Sequence, residues 1–253
     1  MQKGKPFRKI VFHSTGPYPF HAPSHIAAPL LSRKQAKLIA IVCWIAFAVI
    51  AAGIASNALI GFDVTGMLIW RDAHLLPTGP YALYGLAVSL TALGGVLLRS
   101  VITVAAALVL WRLKRGHAAV RFLLTVVSGS LFGLLVKFAV ERPRPQIVPH
   151  LVHASGSSFP SGHSLNSALL YITMALVFGA FAQSRALRGG LVAGAVLLSL
   201  AIAWSRVWLG VHWPSDVVAG LLAGTAWAFG AAALFQKIDA AASPGGSKAT
   251  AER

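Results

Sequence analysis

Apolar residues in this chain form long uninterrupted runs, separated by short polar and basic segments. The first run, from Leu38 to Ile60, has no charged residue, and a helix of that length can cross the ~30 Å hydrocarbon core of a membrane. The runs together predict an all-α polytopic membrane protein with six transmembrane helices. The start of the second helix stays open, because residues 82–98 are apolar as well. The predicted spans are 38–60, 91–112, 122–141, 162–183, 189–207 and 214–236.

Two polar tails flank this predicted membrane domain of residues 38–236. Residues 1–37 are basic and contain no acid, and we expect them to be disordered, while residues 237–253 form a polar C-terminal tail. With six spans, the tails and the basic loops at 112–121 and 184–188 lie on one side. Lys and Arg are enriched on the cytoplasmic side of membrane proteins. Both termini are therefore predicted to be cytoplasmic, with the other loops on the outer face.

Composition supports a membrane location over a soluble one. The chain is 57% hydrophobic and 11% charged, whereas soluble domains have about 25% charged residues. The net charge of +16 would suggest nucleic acid in a soluble protein. Here the basic residues lie in tails and between apolar runs, which fits contact with anionic lipid instead. Neither a nucleic-acid partner nor a soluble fold is expected.

Polar residues in or near membrane spans are costly and are therefore functional candidates. The first such segment is KFAVERPRP, from Lys137 to Pro145. In a continuous helix, Lys137 and Arg144 would share one face, seven residues apart. The two prolines predict instead that the helix ends, so that Arg144 curls over its outer end. Both arrangements bring two cations together, although a basic cluster at the membrane surface would look the same.

The second segment is SSFPSGHSLNS, residues 157–167. Ser161 is a favourable N-cap, and Gly162 allows a group to approach the backbone closely. Free N–H groups at a helix start, together with the helix dipole, form an anion site. His163 would lie in that first turn. A plain capped helix with an interfacial histidine is the alternative.

The third segment is SRVWLGVHWPSD, residues 205–216. Pro214 suits the first position of a helix, and Asp216 would lie in its first turn, where a carboxylate can reach back over the helix end. Such a carboxylate can accept from one ring nitrogen of His212 and leave the other free to attack. Arg206 adds a cation. A capping aspartate with an unrelated histidine remains the alternative.

Together the three segments supply cations, an anion-binding helix start and two histidines on one membrane face, a set that fits phosphoryl chemistry. The spacing Lys137-x6-Arg144-Pro145, then Pro160-Ser161-Gly162-His163, then Ser205-Arg206-x5-His212-x3-Asp216 resembles the three-part signature of the type 2 phosphatidic acid phosphatase (PAP2) superfamily. All three parts are complete and in order. The match covers residues 137–216 directly.

The resemblance implies a role for each matching residue. His212 would be the nucleophile that forms a phosphohistidine, and Asp216 would orient it. His163 would protonate the leaving oxygen and later activate water. The superfamily needs no metal, and no cofactor is expected. The implied phosphate-binding residues are Lys137, Arg144, Ser161, Gly162 and Arg206.

The implied function is a phosphatase that removes phosphate from a lipid phosphate or diphosphate at the outer face of a bacterial plasma membrane. Undecaprenyl diphosphate or another isoprenoid diphosphate is slightly favoured; phosphatidylglycerol phosphate, phosphatidate and a lipid A phosphate are the other candidates. Phosphotransfer to a second lipid and transport of an anionic lipid are the alternatives. The expected partners are the lipid substrate and membrane lipids. Sequence does not predict the oligomeric state.

Three smaller features lie outside the signature. His150 and His153 form an H-x-x-H pair, which could bind zinc, but no further ligand cluster accompanies them. Glu141 precedes Arg142, and we expect a local ion pair between them. Arg99 interrupts an apolar run; it either extends to the membrane surface or faces the bundle interior as a head-group contact.

Overall fold

The computed structural model describes residues 29–242, which form eight α-helices and no β-strand. Most of both tails lies outside this range, so the expected disorder of residues 1–28 stays a prediction. The helices extend into both predicted tails, because the first begins at Arg33 and the last ends at Ala242. The helices are α1 (Arg33–Ala55), α2 (Ile60–Leu68), α3 (Ala82–Gly94), α4 (Val96–Arg112), α5 (Gly116–Val140), α6 (Gly162–Gly179), α7 (Arg185–Trp208) and α8 (Pro214–Ala242).

Helix α1 begins five residues before the apolar run that predicted it. Ser32 caps it by accepting from the backbone N–H of Gln35 at 3.3 Å, and the Gln35 side chain accepts from the Ser32 backbone N–H at 2.9 Å. This reciprocal capping box satisfies two N–H groups that would otherwise lack partners. The start of the helix is thus set by the cap, and the charged residues between cap and apolar run are included in it.

Four helices are individually long and apolar enough to cross a membrane: α1, α5, α7 and α8. Helices α3 and α4 would make a fifth span if taken together, with a bend of 51° where they meet at Gly95. This break explains why the start of the second span was ambiguous in sequence. Exposed leucine and valine side chains cover the outward faces of several helices. Length, composition and this apolar exterior make the chain an integral membrane protein, whereas the count of six spans stays a prediction.

Helix α6 lies at the centre of the bundle. Its 18 residues extend about 27 Å, twelve of them are buried, and it packs against α8, α7 and α5. Its approach to α8 is close because glycines face it: a Cβ atom at Gly220 would lie 2.7 Å from the carbonyl oxygen of Ser161. Small residues allow such backbone contact in membranes. The polar start of α6 is therefore fixed against the start of α8.

The loops at this end of the bundle are fastened to the turn between α7 and α8. The Leu151 N–H donates to the carbonyl oxygen of Leu209 at 3.0 Å, and Arg71 Nη2 donates to that of Trp208 at 2.8 Å. Gly210 has a φ of +80°, and a Cβ atom there would lie 2.5 Å from the carbonyl oxygen of Pro149, so only glycine fits. The loop between α5 and α6 is thereby held over the turn that carries His212.

Candidate active site

The three polar segments predicted from sequence meet at one end of the bundle. The end of α5, the start of α6 and the turn from α7 to α8 come together there, and the Ser161 N–H donates to the Asp216 carbonyl oxygen at 3.0 Å. Every residue singled out in these segments lies in this region. The expectation that distant parts of the chain build one site is consistent with their arrangement.

His212 is almost completely buried, with 2% of its surface exposed. Nη1 of Arg144 lies 3.2 Å from His212 Nε2, and because a guanidinium can only donate, Nε2 must accept. The ring proton is thereby assigned to Nδ1, which lies 3.5 Å from Oδ2 of Asp216. Burial, and then the positive charges of Arg206, Arg144 and Lys137, lower the pKa of His212 well below its usual 6.5. The ring is therefore neutral, with a lone pair on Nε2 that faces cations.

Asp216 lies in the first turn of α8, which Pro214 begins as predicted. Its Oδ2 accepts from the backbone N–H of Trp213 at 3.0 Å, so the carboxylate does reach back over the helix start. Its Oδ1 accepts from Arg142 at 2.6 Å. Asp216 is fully buried. The carboxylate is thus held at both oxygens, one of which also faces the imidazole.

The two cations of the first segment are held by backbone carbonyls. Helix α5 ends at Val140, and Glu141 adopts a left-handed φ of 45°, so Arg144 lies beyond the helix, in the second of the two predicted arrangements. Arg144 donates to the carbonyl oxygens of Val211 at 2.7 Å and Ser155 at 2.8 Å. Lys137 donates from Nζ to the carbonyl oxygen of Ser157 at 2.7 Å. Neutral acceptors orient both side chains without cancelling their charge.

Arg206, near the end of α7, is the most deeply buried of the three predicted phosphate-binding cations, with 4% exposed. Its Nη1 donates to Thr91 Oγ1 at 2.7 Å, and its Nε has no hydrogen-bond partner within residues 29–242. A buried donor without a partner is costly. A phosphate oxygen is the kind of acceptor that this guanidinium could take.

The start of α6 completes the site. Ser161 caps it, its Oγ accepting from the Ser164 N–H at 3.4 Å. A Cβ atom at Gly162 would lie 3.6 Å from Lys137 Cε, so the open backbone faces that cation. A Cβ atom at Gly94 would lie 3.1 Å from His163 Cδ2. The break between α3 and α4 is therefore beside this histidine. His163 is close enough to Arg206, His212 and Arg99 for their charges to interact.

Other sequence expectations turn out differently. The predicted ion pair between Glu141 and Arg142 is wrong. Arg142 bonds instead to two buried carboxylates, Asp63 and Asp216, at 2.6 Å each. Asp63 was not recognised as part of the site, although an acid within an apolar segment is a functional signal by itself. His150 bonds through Nε2 to the carbonyl oxygen of Pro145 at 2.7 Å. Across the described range, no three His, Cys, Asp or Glu side chains cluster as a metal site would need.

Known proteins resemble this chain in sequence. Residues 118–240 match the family model of the PAP2 superfamily. Phosphatidylglycerophosphatase B of Bacillus subtilis is 37% identical over 105 residues, which are 40% of this chain and 50% of that protein. Undecaprenyl-diphosphatase BcrC of the same species is 32% identical over 104 residues, 39% of this chain and 48% of that protein. The chain thus spans about half the length of these curated relatives.

Structural similarity extends further along the chain. The crystal structure of a transmembrane PAP2-type phosphatidylglycerolphosphate phosphatase from Bacillus subtilis aligns with a TM-score of 0.71 and 26% identity. The alignment covers 79% of this chain and 96% of that one. Family model, relatives and fold agree with the three-part motif, and residues 118–240 of this chain match the PAP2 superfamily.

Proposed function

We propose that this protein is a lipid phosphatase that hydrolyses a phosphate monoester or diphosphate of a membrane lipid through a phosphohistidine on His212. One observation carries the proposal: Arg144 donates to Nε2 of a buried, neutral His212, which assigns the lone pair to the nitrogen that faces the cations. The relatives named as lipid phosphatases and diphosphatases support the same chemistry.

The first half-reaction transfers the phosphoryl group to the enzyme. Nε2 of His212 attacks phosphorus while Lys137, Arg144 and Arg206 bind the phosphate oxygens, with the start of α6 supplying backbone donors. The bond from phosphorus to the leaving oxygen breaks, and His163 donates the proton that this oxygen takes. The imidazole becomes positively charged as the P–N bond forms, and Asp216 stabilises that charge.

The second half-reaction returns the enzyme to its starting state. His163, now neutral, accepts a proton from water, and the resulting hydroxide attacks phosphorus. The P–N bond breaks, inorganic phosphate leaves, and Nε2 regains its lone pair. Each turnover consumes one water and needs no metal ion or cofactor in this scheme.

The lipid nature of the substrate is inferred from the position of the site. The site lies at one end of a bundle whose outward faces are apolar, so a hydrocarbon tail can remain in the membrane while its phosphate reaches the cations. We place this end on the outer face by the distribution of basic loops. Isoprenoid diphosphates are the favoured class, since a diphosphatase is among the relatives; phosphatidylglycerol phosphate, phosphatidate and lipid A phosphate are the others.

The test is phosphate release by purified protein from a panel of these lipids, with and without EDTA. Wild-type protein should release phosphate in both conditions and form an acid-labile phosphoprotein, and His212→Ala should abolish both signals while remaining folded. Lack of release from every lipid would overturn the proposal and favour transport. Transfer of labelled phosphate to an added lipid or sugar acceptor, without release of free phosphate, would identify a phosphotransferase.

A further inference from the structure

A second buried carboxylate, Asp63 in the short helix α2, lies behind the proposed nucleophile. Asp63 is completely buried. Its Oδ1 accepts from the backbone N–H of Ser215 at 2.8 Å, and its Oδ2 accepts from Ser215 Oγ at 2.7 Å and from Arg142 at 2.6 Å. These bonds join α2 to the first turn of α8, 152 residues later. Three hydrogen-bond donors thus fix the carboxylate of a residue outside the PAP2 signature.

Arg142 links this carboxylate to the one beside His212. One terminal nitrogen, Nη2, donates to Asp63, while the other, Nη1, donates to Asp216 at 2.6 Å and to Ser215 Oγ at 2.8 Å. The guanidinium also lies over the ring of Trp213, at 5.5 Å from its centroid. A planar fork bonded to a carboxylate at each nitrogen cannot rotate without breaking a charge-assisted bond. The orientation of Arg142, and with it that of Asp216, therefore depends on Asp63.

The charges of the two carboxylates and of Arg142 also favour a role of Asp63 in the reaction. Two carboxylates share one guanidinium, which leaves one unit of negative charge on the side of His212 that faces away from the phosphate-binding cations. If Asp63 carried no charge, Arg142 would neutralise Asp216 alone. Asp216 would then stabilise less effectively the positive charge that develops on the imidazole when its Nε2 bonds to phosphorus.

We propose that Asp63 and Arg142 are a positioning pair that holds Asp216 against Nδ1 of His212 and preserves its negative charge for the phosphohistidine step. The inference rests on the proposed reaction at His212. Both terminal nitrogens of Arg142 are bonded to carboxylates, so the pair should affect the rate of phosphoryl transfer rather than substrate binding. A purely structural link between α2 and α8 would instead change the melting temperature and leave the rate of the folded enzyme unaltered.

The experiment compares Asp63→Asn and Arg142→Lys with wild-type enzyme, using the lipid phosphate that gives the fastest release. Single-turnover labelling measures the rate of phosphohistidine formation, and KM and inhibition by inorganic phosphate report binding. Each variant should form phosphohistidine about 10- to 100-fold more slowly, as small misplacements at a reacting centre do, with KM within about twofold of wild type. Asp72→Asn is the matched control, because Asp72 is exposed and bonds only to nearby backbone N–H groups.

Coupling between the two residues provides the second readout. Adding Asp63→Asn to Arg142→Lys should slow the reaction little further, since both act through Asp216. A folded Asp63→Asn enzyme with a wild-type rate would overturn the pairing, as would independent, multiplicative losses. If Asp63→Asn unfolds, Arg142→Lys decides alone: an unchanged rate refutes the inference and a selective loss of rate supports it. Wild-type protein without phosphohistidine would refute the proposed function instead.

Discussion

At the scale of single residues, two kinds of cation can be distinguished by their partners. Lys137 and Arg144 donate to backbone carbonyls, and Arg206 donates to a threonine hydroxyl. Arg142, by contrast, is neutralised by two carboxylates. A cation bonded to neutral acceptors keeps its full attraction for an incoming anion, whereas one in an ion pair does not. The partners thus separate side chains suited to bind phosphate from one suited to orient its neighbours.

Lys137→Met should weaken phosphate recognition while retaining the length of the side chain. We expect KM to rise about tenfold, as loss of one charge-assisted hydrogen bond would produce, with a smaller change in kcat. The assay is the dependence of phosphate release on lipid concentration in mixed micelles. Lys114→Met is the control, because Lys114 lies in the loop between α4 and α5 at the other end of the bundle. Equal KM values for Lys137→Met and wild type would remove Lys137 from the site.

Burial of a neutral His212 should make stability depend on pH in a defined direction. Its pKa is lowered in the folded state by burial and nearby cations, so the unfolded state binds more protons below about pH 6.5. Stability from this residue is therefore full above pH 6.5 and falls as the pH is lowered, by about 1 kcal/mol between pH 6.5 and 5.5.

The measurement is the melting temperature of detergent-solubilised protein at both pH values. His212→Gln should lose less stability than wild type on acidification, because glutamine does not titrate. An identical decrease in both proteins would show that His212 is not held neutral. Comparing the two proteins within each pH removes the contribution of the remaining titratable groups.

At the scale of helices, the position of His163 depends on the crossing of α6 and α8. Gly220 and Gly224 lie one turn apart on α8 and face the backbone of α6. A Cβ atom at Gly224 would lie 2.9 Å from Ala168 Cβ and 2.9 Å from the backbone nitrogen of Leu169. Backbone atoms cannot yield as the end of a flexible side chain can. The contact therefore sets the distance between the two helices that carry His163 and Asp216.

Gly224→Ala should force these helices apart and destabilise the protein by about 1–3 kcal/mol, the usual effect of overpacking. Activity should fall as well, since the start of α6 would move relative to the start of α8. Thermal unfolding and phosphate release, measured on the same sample, test both effects. Gly194→Ala, on α7, is the control, because nothing lies within 4 Å of a Cβ atom there. Equal melting temperatures for the two variants would contradict the role assigned to the crossing.

At the scale of the whole molecule, the site and the basic loops lie at opposite ends of the bundle. The loop of residues 113–115 joins α4 to α5, and the segment 141–161, which holds Arg144 over His212, joins α5 to α6. Because α5 alone is long enough to cross a membrane, these two connections should face opposite aqueous compartments. The enrichment of basic residues on the cytoplasmic side then predicts that the catalytic end faces outwards.

Cysteine labelling tests this orientation. In a Cys43→Ala background, His153→Cys should react with a membrane-impermeant maleimide in intact cells whose outer barrier, if present, is opened. Lys114→Cys should react only after the plasma membrane is permeabilised. Both side chains are exposed, so differences in reactivity report the compartment. The reverse pattern would place the active site on the cytoplasmic face.

Features that depend on local interactions could be predicted from the sequence. Apolar runs predicted the long helices but not α2. The prolines predicted the end of α5 and the start of α8, and Ser161 was identified as the cap of α6. The resemblance of their spacing to the PAP2 signature brought the signature residues into a common motif. These signals are readable because hydropathy, capping and proline geometry act over a few neighbouring residues.

Contacts between distant groups, by contrast, follow from the packing of the helices. Arg142 could be paired with its neighbour Glu141 from sequence, yet its partners are 79 and 74 residues away, because two buried carboxylates compensate a partly buried guanidinium better than one exposed neighbour does. The break at Gly95 beside His163 and the assignment of the ring proton to Nδ1 of His212 were likewise not predictable from sequence. Each depends on packing between helices, which no local pattern records.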